Sequence, residues 1–218
     1  MSEKSKEFLT RSISSIFIVG VILSFIYSHS LIYSFLFVFV IGLLMNVEWT
    51  NIISKTTEKS KWTFIGIVYI SVTMVPLVYL KTTYRYGSHL LMWLFLLVWC
   101  VDTFAYIVGK ILNLGKHKIT SISPKKSYEG LFGGMFMAVI VCYIFANMFL
   151  PDIKLKLLTI SPLLCLLEQV SDITESYVKR KFNVKDSGSI IPGHGGMLDR
   201  FDGFLFTTLA LMLFLSIL

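Results

Sequence analysis

The sequence predicts an all-α, polytopic membrane protein of about seven transmembrane helices, in a range of roughly six to eight. Three observations carry that prediction. Of 218 residues, 55% are hydrophobic and only 15% are charged, whereas a soluble domain is nearer about 25% charged. Apolar stretches recur along the whole chain, with a mean hydropathy of +0.74, and a run of about 20 apolar residues is what crosses a hydrocarbon core. The net charge of +7 is unevenly distributed over the loops, as expected when cytoplasmic loops collect Lys and Arg. It does not call for a nucleic-acid partner.

The spans are placed in chain order at Ser12–Tyr27, Leu31–Val47, Trp62–Leu80, His89–Val108, Tyr128–Leu150, Leu155–Asp172 and Phe204–Leu218. Lys4, Lys6 and Arg11 precede the first run as in a signal peptide, but no small-residue cleavage site follows. The second run begins within a few residues, so residues 1–61 read as a retained helical hairpin with its cytoplasmic loop. Residues 62–218 read as the catalytic helical core of a single domain spanning 1–218. Cys100, Cys142 and Cys165 lie in apolar segments without a CxxC pair and read as small buried hydrophobes. With the N-terminus inside, only Lys81, Arg85, Lys154 and Lys156 of the 20 cations fall outside. Seven spans leave the C-terminus outside.

Chemistry concentrates in the cytoplasmic loop 172–203. A helix starting at Leu155 needs about 20 residues to cross, which puts Asp172 at the inner boundary. Asp172, Ser176 and Lys179 are spaced i, i+4, i+7 and share one face. Asp199 and Asp202 sit where the next helix starts, and its dipole favours carboxylates there. Two acids from neighbouring helices are thereby expected to meet around one cation. Asp102 and Glu168 also lie in apolar runs, and ionisable residues there are functional candidates by default; a structural ion pair is the plainer reading.

Pro192-Gly193-His194-Gly195-Gly196 reads as an anion cradle of successive N–H groups or as a tight turn. His194 is open to three roles: phosphate donor, general acid or base, or metal ligand. Phosphate donor fits best, because no second histidine stands at ligand spacing. Arg200 lies between two acids, and with Lys179 it suits phosphate oxygens. Arg180, Lys181 and Lys185 double as topology determinants. Ser123-Pro124 reads as the N-cap and first position of the fifth span, with Lys125 and Lys126 beside a ready anion site. Gly130 and Gly134 form a small-xxx-small pair for helix packing. No P-loop, His-Glu-x-x-His or Gly-x-Ser-x-Gly motif is present.

The stretch Ser176–Asp202 resembles the signature of the phosphatidate cytidylyltransferases, the CDP-diacylglycerol synthases. The matching positions are Ser176, Lys179, Arg180, Lys185, Asp186, Gly188, Pro192, His194, Gly195, Gly196, Asp199, Arg200 and Asp202. Asp102–Gly109, Ser123–Gly130 and Glu48-Trp49 resemble further family segments, so the likeness runs from Glu48 to Gly203. Ser171 and Gly203 depart from the family's usual glycine and serine. The chain is short for the family, which implies fewer spans near the N-terminus.

The resemblance implies an enzyme that joins CTP and phosphatidate into CDP-diacylglycerol and pyrophosphate, using magnesium or another divalent cation, with a possible second one. It implies Asp172, Asp199 and Asp202 toward the metal, and Asp172, His194, Asp199, Arg200 and Asp202 as catalytic. Substrate contacts are expected from Asp102, Ser123, Lys125, Lys126, Ser176, Lys179, Arg180, Lys185, Gly195 and Gly196. Membrane lipids are the surroundings, a homodimer is a possible assembly, and a bacterial inner membrane with the site facing the cytoplasm is the expected place. The rivals are another CTP-dependent lipid enzyme, of the CDP-archaeol synthase or polyprenol kinase type, and an ion-coupled transporter using Asp102 and Asp172.

Overall fold

The computed structural model describes residues 3–111, 118–120, 122–123 and 126–217. Among them stand eight α-helices and no named β-strand: α1 Glu3–Tyr27, α2 Leu31–Ile52, α3 Lys59–Thr83, α4 Gly87–Ile111, α5 Tyr128–Phe149, α6 Lys154–Lys181, α7 Leu198–Phe201 and α8 Phe204–Ile217. Six candidate spans satisfy length and apolar composition, with α7 and α8 counted together as Leu198–Ile217. The remaining expected span, α6, is not among the six; it carries Glu168, Asp172, Glu175 and three basic residues in its last turn. Its 28 residues still reach about 42 Å at 1.5 Å per residue. It joins the two ends of the bundle, since Asp152 just before it accepts from Tyr86 (3.2 Å) at one end and Lys179 meets Asp199 at the other.

The helices are held by a continuous apolar core that includes Trp49, Trp93, Phe95, Leu164 and Phe204. The α4–α5 pair is packed most closely. Gly130, Gly133 and Gly134 lie so near α4 that an added Cβ would meet Ala105 O, Val108 or Val101 O within 2.5–2.8 Å. This is the packing role expected of Gly130 and Gly134, and small residues are how helix backbones approach in lipid. On α2, Trp49 donates Nε1–H to Trp62 O (2.8 Å) and covers Gly66 on α3.

Two details differ from expectation. The cap of α5 is Ser127, whose hydroxyl accepts from Gly130 N (3.1 Å), not Ser123. Ser127 takes the extended backbone that an N-cap requires (φ −122°, ψ 155°), and Ser123 lies a turn earlier, where its carbonyl accepts from Lys126 N (3.1 Å). The last span does not start as one helix at Asp199. It breaks at Asp202-Gly203 into α7 and α8.

Candidate functional site

One end of the bundle gathers the chain's polar chemistry, and a buried acid on α2 anchors it. Glu48 is 1% exposed. Its carboxylate accepts from Met197 N (2.9 Å), Leu198 N (2.8 Å) and Ser187 Oγ (3.0 Å). It thereby caps α7 from another helix and satisfies N–H groups that a helix start leaves open. A Cβ on Gly188 or Gly196 would run into this carboxylate, so both positions stay bare.

Loop 182–197 leaves α6 through Asn183 in left-handed backbone (φ 58°), with Val184 N returning to Lys179 O (2.9 Å). Asn is one of the few side chains tolerated there. Further on, Pro192 and Gly193 (φ 75°) occupy the middle of a turn that His194 N closes onto Ile191 O (3.0 Å). Proline followed by a positive-φ glycine is the pattern of a type II turn. The segment thus forms a tight turn, and the Gly195 and Gly196 N–H groups are engaged within the loop. Gly195 N donates to Ile191 O (3.2 Å) and Gly196 N to Asp199 Oδ2 (3.2 Å).

The turn presents His194 to a polar cavity of about 530 Å³, whose walls also include Arg11, Lys179, Asp186, Asp199, Arg200 and Asp202. His194 Nε2 lies 3.1 Å from Ser15 Oγ on α1, and its buried Nδ1 has no hydrogen-bond partner. Arg200 donates to His194 O (2.7 Å). Lys179 bridges Glu175 Oε2 (2.5 Å) and Asp199 Oδ1 (2.7 Å). Asp199 also accepts from Ser187 N (3.1 Å).

A second group adjoins this one. Lys126 pairs with Asp172, and Ser176 Oγ donates to Asp172 Oδ1 (3.3 Å), as the shared helix face predicts. Asp102 on α4 stands beside Glu168 on α6, whose Oε2 accepts from Gln169 Nε2 (2.7 Å), and Asp102 and Asp172 both lie near Asp202. Asp202 accepts from Gly203 N (2.8 Å).

The remaining expected contacts are peripheral. Arg180 donates to Val184 O (3.2 Å) and holds the loop's first turn. Lys185 is exposed, Lys181 stacks over Trp62, and Ser123 is half-buried. Lys125 lies outside the described residues. Sequence reasoning missed Glu48, Glu175, Ser187 and the α1 residues Arg11 and Ser15. Glu175 had a readable signal, an acid four residues before Lys179. Arg11 had none beyond its topological charge.

Here Asp102, Glu168, Asp172, Glu175, Asp199 and Asp202 outnumber Lys126, Lys179 and Arg200. Among the described residues no three of His, Cys, Asp and Glu converge as a ready metal site. The donor chemistry still fits a hard divalent cation. Every acid offers oxygen, and Asp172 and Asp199 each already hold an ammonium where positive charge is needed.

The sequence profile of the cytidylyltransferase family matches residues 55–218. A phosphatidate cytidylyltransferase of Rickettsia typhi is 35% identical over 95% of both chains. One of Rickettsia felis is 34% identical over the full length of both. One of Staphylococcus aureus is 47% identical over 55% of this chain and 46% of its own.

Proposed function

This chain belongs to the cytidylyltransferase family, and we propose from that premise that it transfers CMP from CTP to phosphatidate. A phosphate oxygen of phosphatidate attacks the α-phosphorus of CTP. The bond from that phosphorus to the α–β bridging oxygen breaks, and pyrophosphate leaves, giving CDP-diacylglycerol. The observation that carries this reading is the polar cavity at one end of an apolar bundle, where Arg11, Lys179, His194 and Arg200 converge with Asp186, Asp199 and Asp202. Two polyanions repel each other in water, and transfer between them depends on positioning and charge stabilisation. Lys179 and Arg200 supply charge, His194 Nδ1 offers an unengaged ring nitrogen, and the Pro192-Gly193 turn fixes the ring's position.

Asp172, Asp199 and Asp202 would hold magnesium or another divalent cation, with Lys126 and Lys179 turning their ammonium groups to substrate phosphates. When bound, that ion supplies charge neutralisation of the triphosphate and of the leaving pyrophosphate. The Lys and Arg bias of the loops on this side of the bundle supports a site facing the cytoplasm.

The test uses CTP labelled separately at the α and γ phosphates, with purified protein and phosphatidate in detergent micelles. CMP transfer moves only the α label into lipid. A γ label in lipid would instead reveal a lipid kinase, and no label in lipid would refute both. Replacing phosphatidate with a diether analogue separates the CDP-archaeol type.

A further inference from the structure

A second cavity of about 500 Å³ lies beside the polar one and is almost wholly apolar, with walls that include Ile18, Val21, Phe37, Ile41, Leu44 and Trp99. That volume is in the range of small-molecule sites. Its existence follows from how α1 is mounted. At one end Phe25 and Ile26 are fully buried, and their carbonyls accept from Lys81 Nζ (2.5 Å) and Ser88 Oγ (2.6 Å). At the other end Ser15 meets His194, and Arg11 lies against Gly193. Between these two anchors α1 stands away from α2 and α4, and Phe17 is 70% exposed.

The two cavities share Arg200 and are parted by one loop. Ile190, Ile191 and Pro192 face the apolar side, while Gly193, His194 and Gly195 face the polar side. A ligand that fills both has an anionic head and a hydrocarbon tail. A free nucleotide would use only the first.

We infer that the apolar cavity seats a fatty acyl chain of the phosphatidate whose phosphate enters the polar cavity, and that α1 selects that chain. The inference rests on the phosphatidate reading above. Each methylene withdrawn from water strengthens binding about fourfold. In a micelle or bilayer the chain only exchanges one apolar surrounding for another, so the cavity acts mainly on chain length and shape.

Two experiments test it. In the first, wild-type protein in mixed micelles is irradiated with phosphatidate carrying a mid-chain diazirine, and the adducts are mapped by mass spectrometry. Adducts are expected on the α1 and α2 residues Ile18, Val21, Phe37 and Leu44, and dioleoyl phosphatidate should displace them. In the second, Val21→Trp and Leu44→Trp fill the cavity. Each should raise the KM for dioleoyl phosphatidate about tenfold and leave the KM for dihexanoyl phosphatidate and for CTP unchanged.

Adducts confined to α5 or α8 overturn the inference, as do equal effects on both chain lengths. If either variant fails to fold, the wild-type adduct map decides alone. If the wild type moves no α label to phosphatidate of any chain length, the substrate reading falls and takes this inference with it. An active wild type with adducts elsewhere removes only the acyl seat.

Discussion

Replacing Glu48 with alanine should disable the enzyme from a residue that the substrates need never touch. The carboxylate receives three donors from loop 182–197 and α7, at 2.8–3.0 Å. Removing it leaves Met197 N–H, Leu198 N–H and the Ser187 hydroxyl without an acceptor, and each buried orphan costs about 1–3 kcal/mol. Water entering the vacated space recovers part of that, which leaves about 3–6 kcal/mol for the three together. At about 1.4 kcal/mol per tenfold, the ordered loop becomes roughly 10² to 10⁴ times less favoured against its open forms. Glu48→Gln keeps one acceptor oxygen and turns an NH₂ toward the other donor, so its cost is about 1–3 kcal/mol. CMP transfer should therefore fall in the order wild type, Glu48→Gln, Glu48→Ala. Hydrogen exchange across residues 183–201 should speed up in the same order, while the α4–α5 amides stay protected. Wild-type exchange in this segment, with turnover of Glu48→Ala within about twofold of normal, would refute the anchoring argument.

Further outcomes follow from the same geometry. Lys179→Met strips the counter-charge from Glu175 and Asp199 and should lower kcat by at least about a hundredfold, because breaking a buried pair costs about 3–5 kcal/mol; a mild effect in a steady-state assay would show that Lys179 is not central. His194→Ala should lose turnover yet keep the wild-type melting temperature, since the turn closes through backbone groups; an aggregated variant would make the ring structural. Chelation of divalent cations should abolish CMP transfer and magnesium should restore it, and full activity in excess chelator would remove the metal role proposed for Asp172, Asp199 and Asp202. Gly134→Leu should destabilise the bundle by more than about 2 kcal/mol, as overpacking against a backbone does, readable as a lowered melting temperature in detergent.

What the sequence disclosed follows from how local each signal is. The helical, membrane-spanning class rests on runs of apolar residues, which are contiguous in the chain. Lys179, His194, Asp199, Arg200 and Asp202 were legible because loop 182–197 and the helix ends beside it carry them close together. Glu48 entered only as part of a family-like segment; its partners lie 139 to 150 residues away, and no local pattern reports such a contact. Arg11 and Ser15 were hidden for the same reason. The glycines at 193–196 fit a cradle or a turn equally well by composition. Backbone angles and the direction of each N–H decide that, and neither is a property of residue type. The α7–α8 break falls at Asp202-Gly203, beside Asp199 and Arg200, where acids also read as the first turn of one continuous helix.

The seam between α4 and α5 reaches further than packing. Gly130, Gly133 and Gly134 bring the two backbones so close that the pair behaves as one beam. Asp102 rides on one half of it, and the chain entering the other half carries Lys126, the partner of Asp172. A methyl group added at the seam would tilt the beam and draw the ammonium off its carboxylate with no charged residue altered. The alignment of this ion pair is therefore governed from a patch that has no side chains of its own.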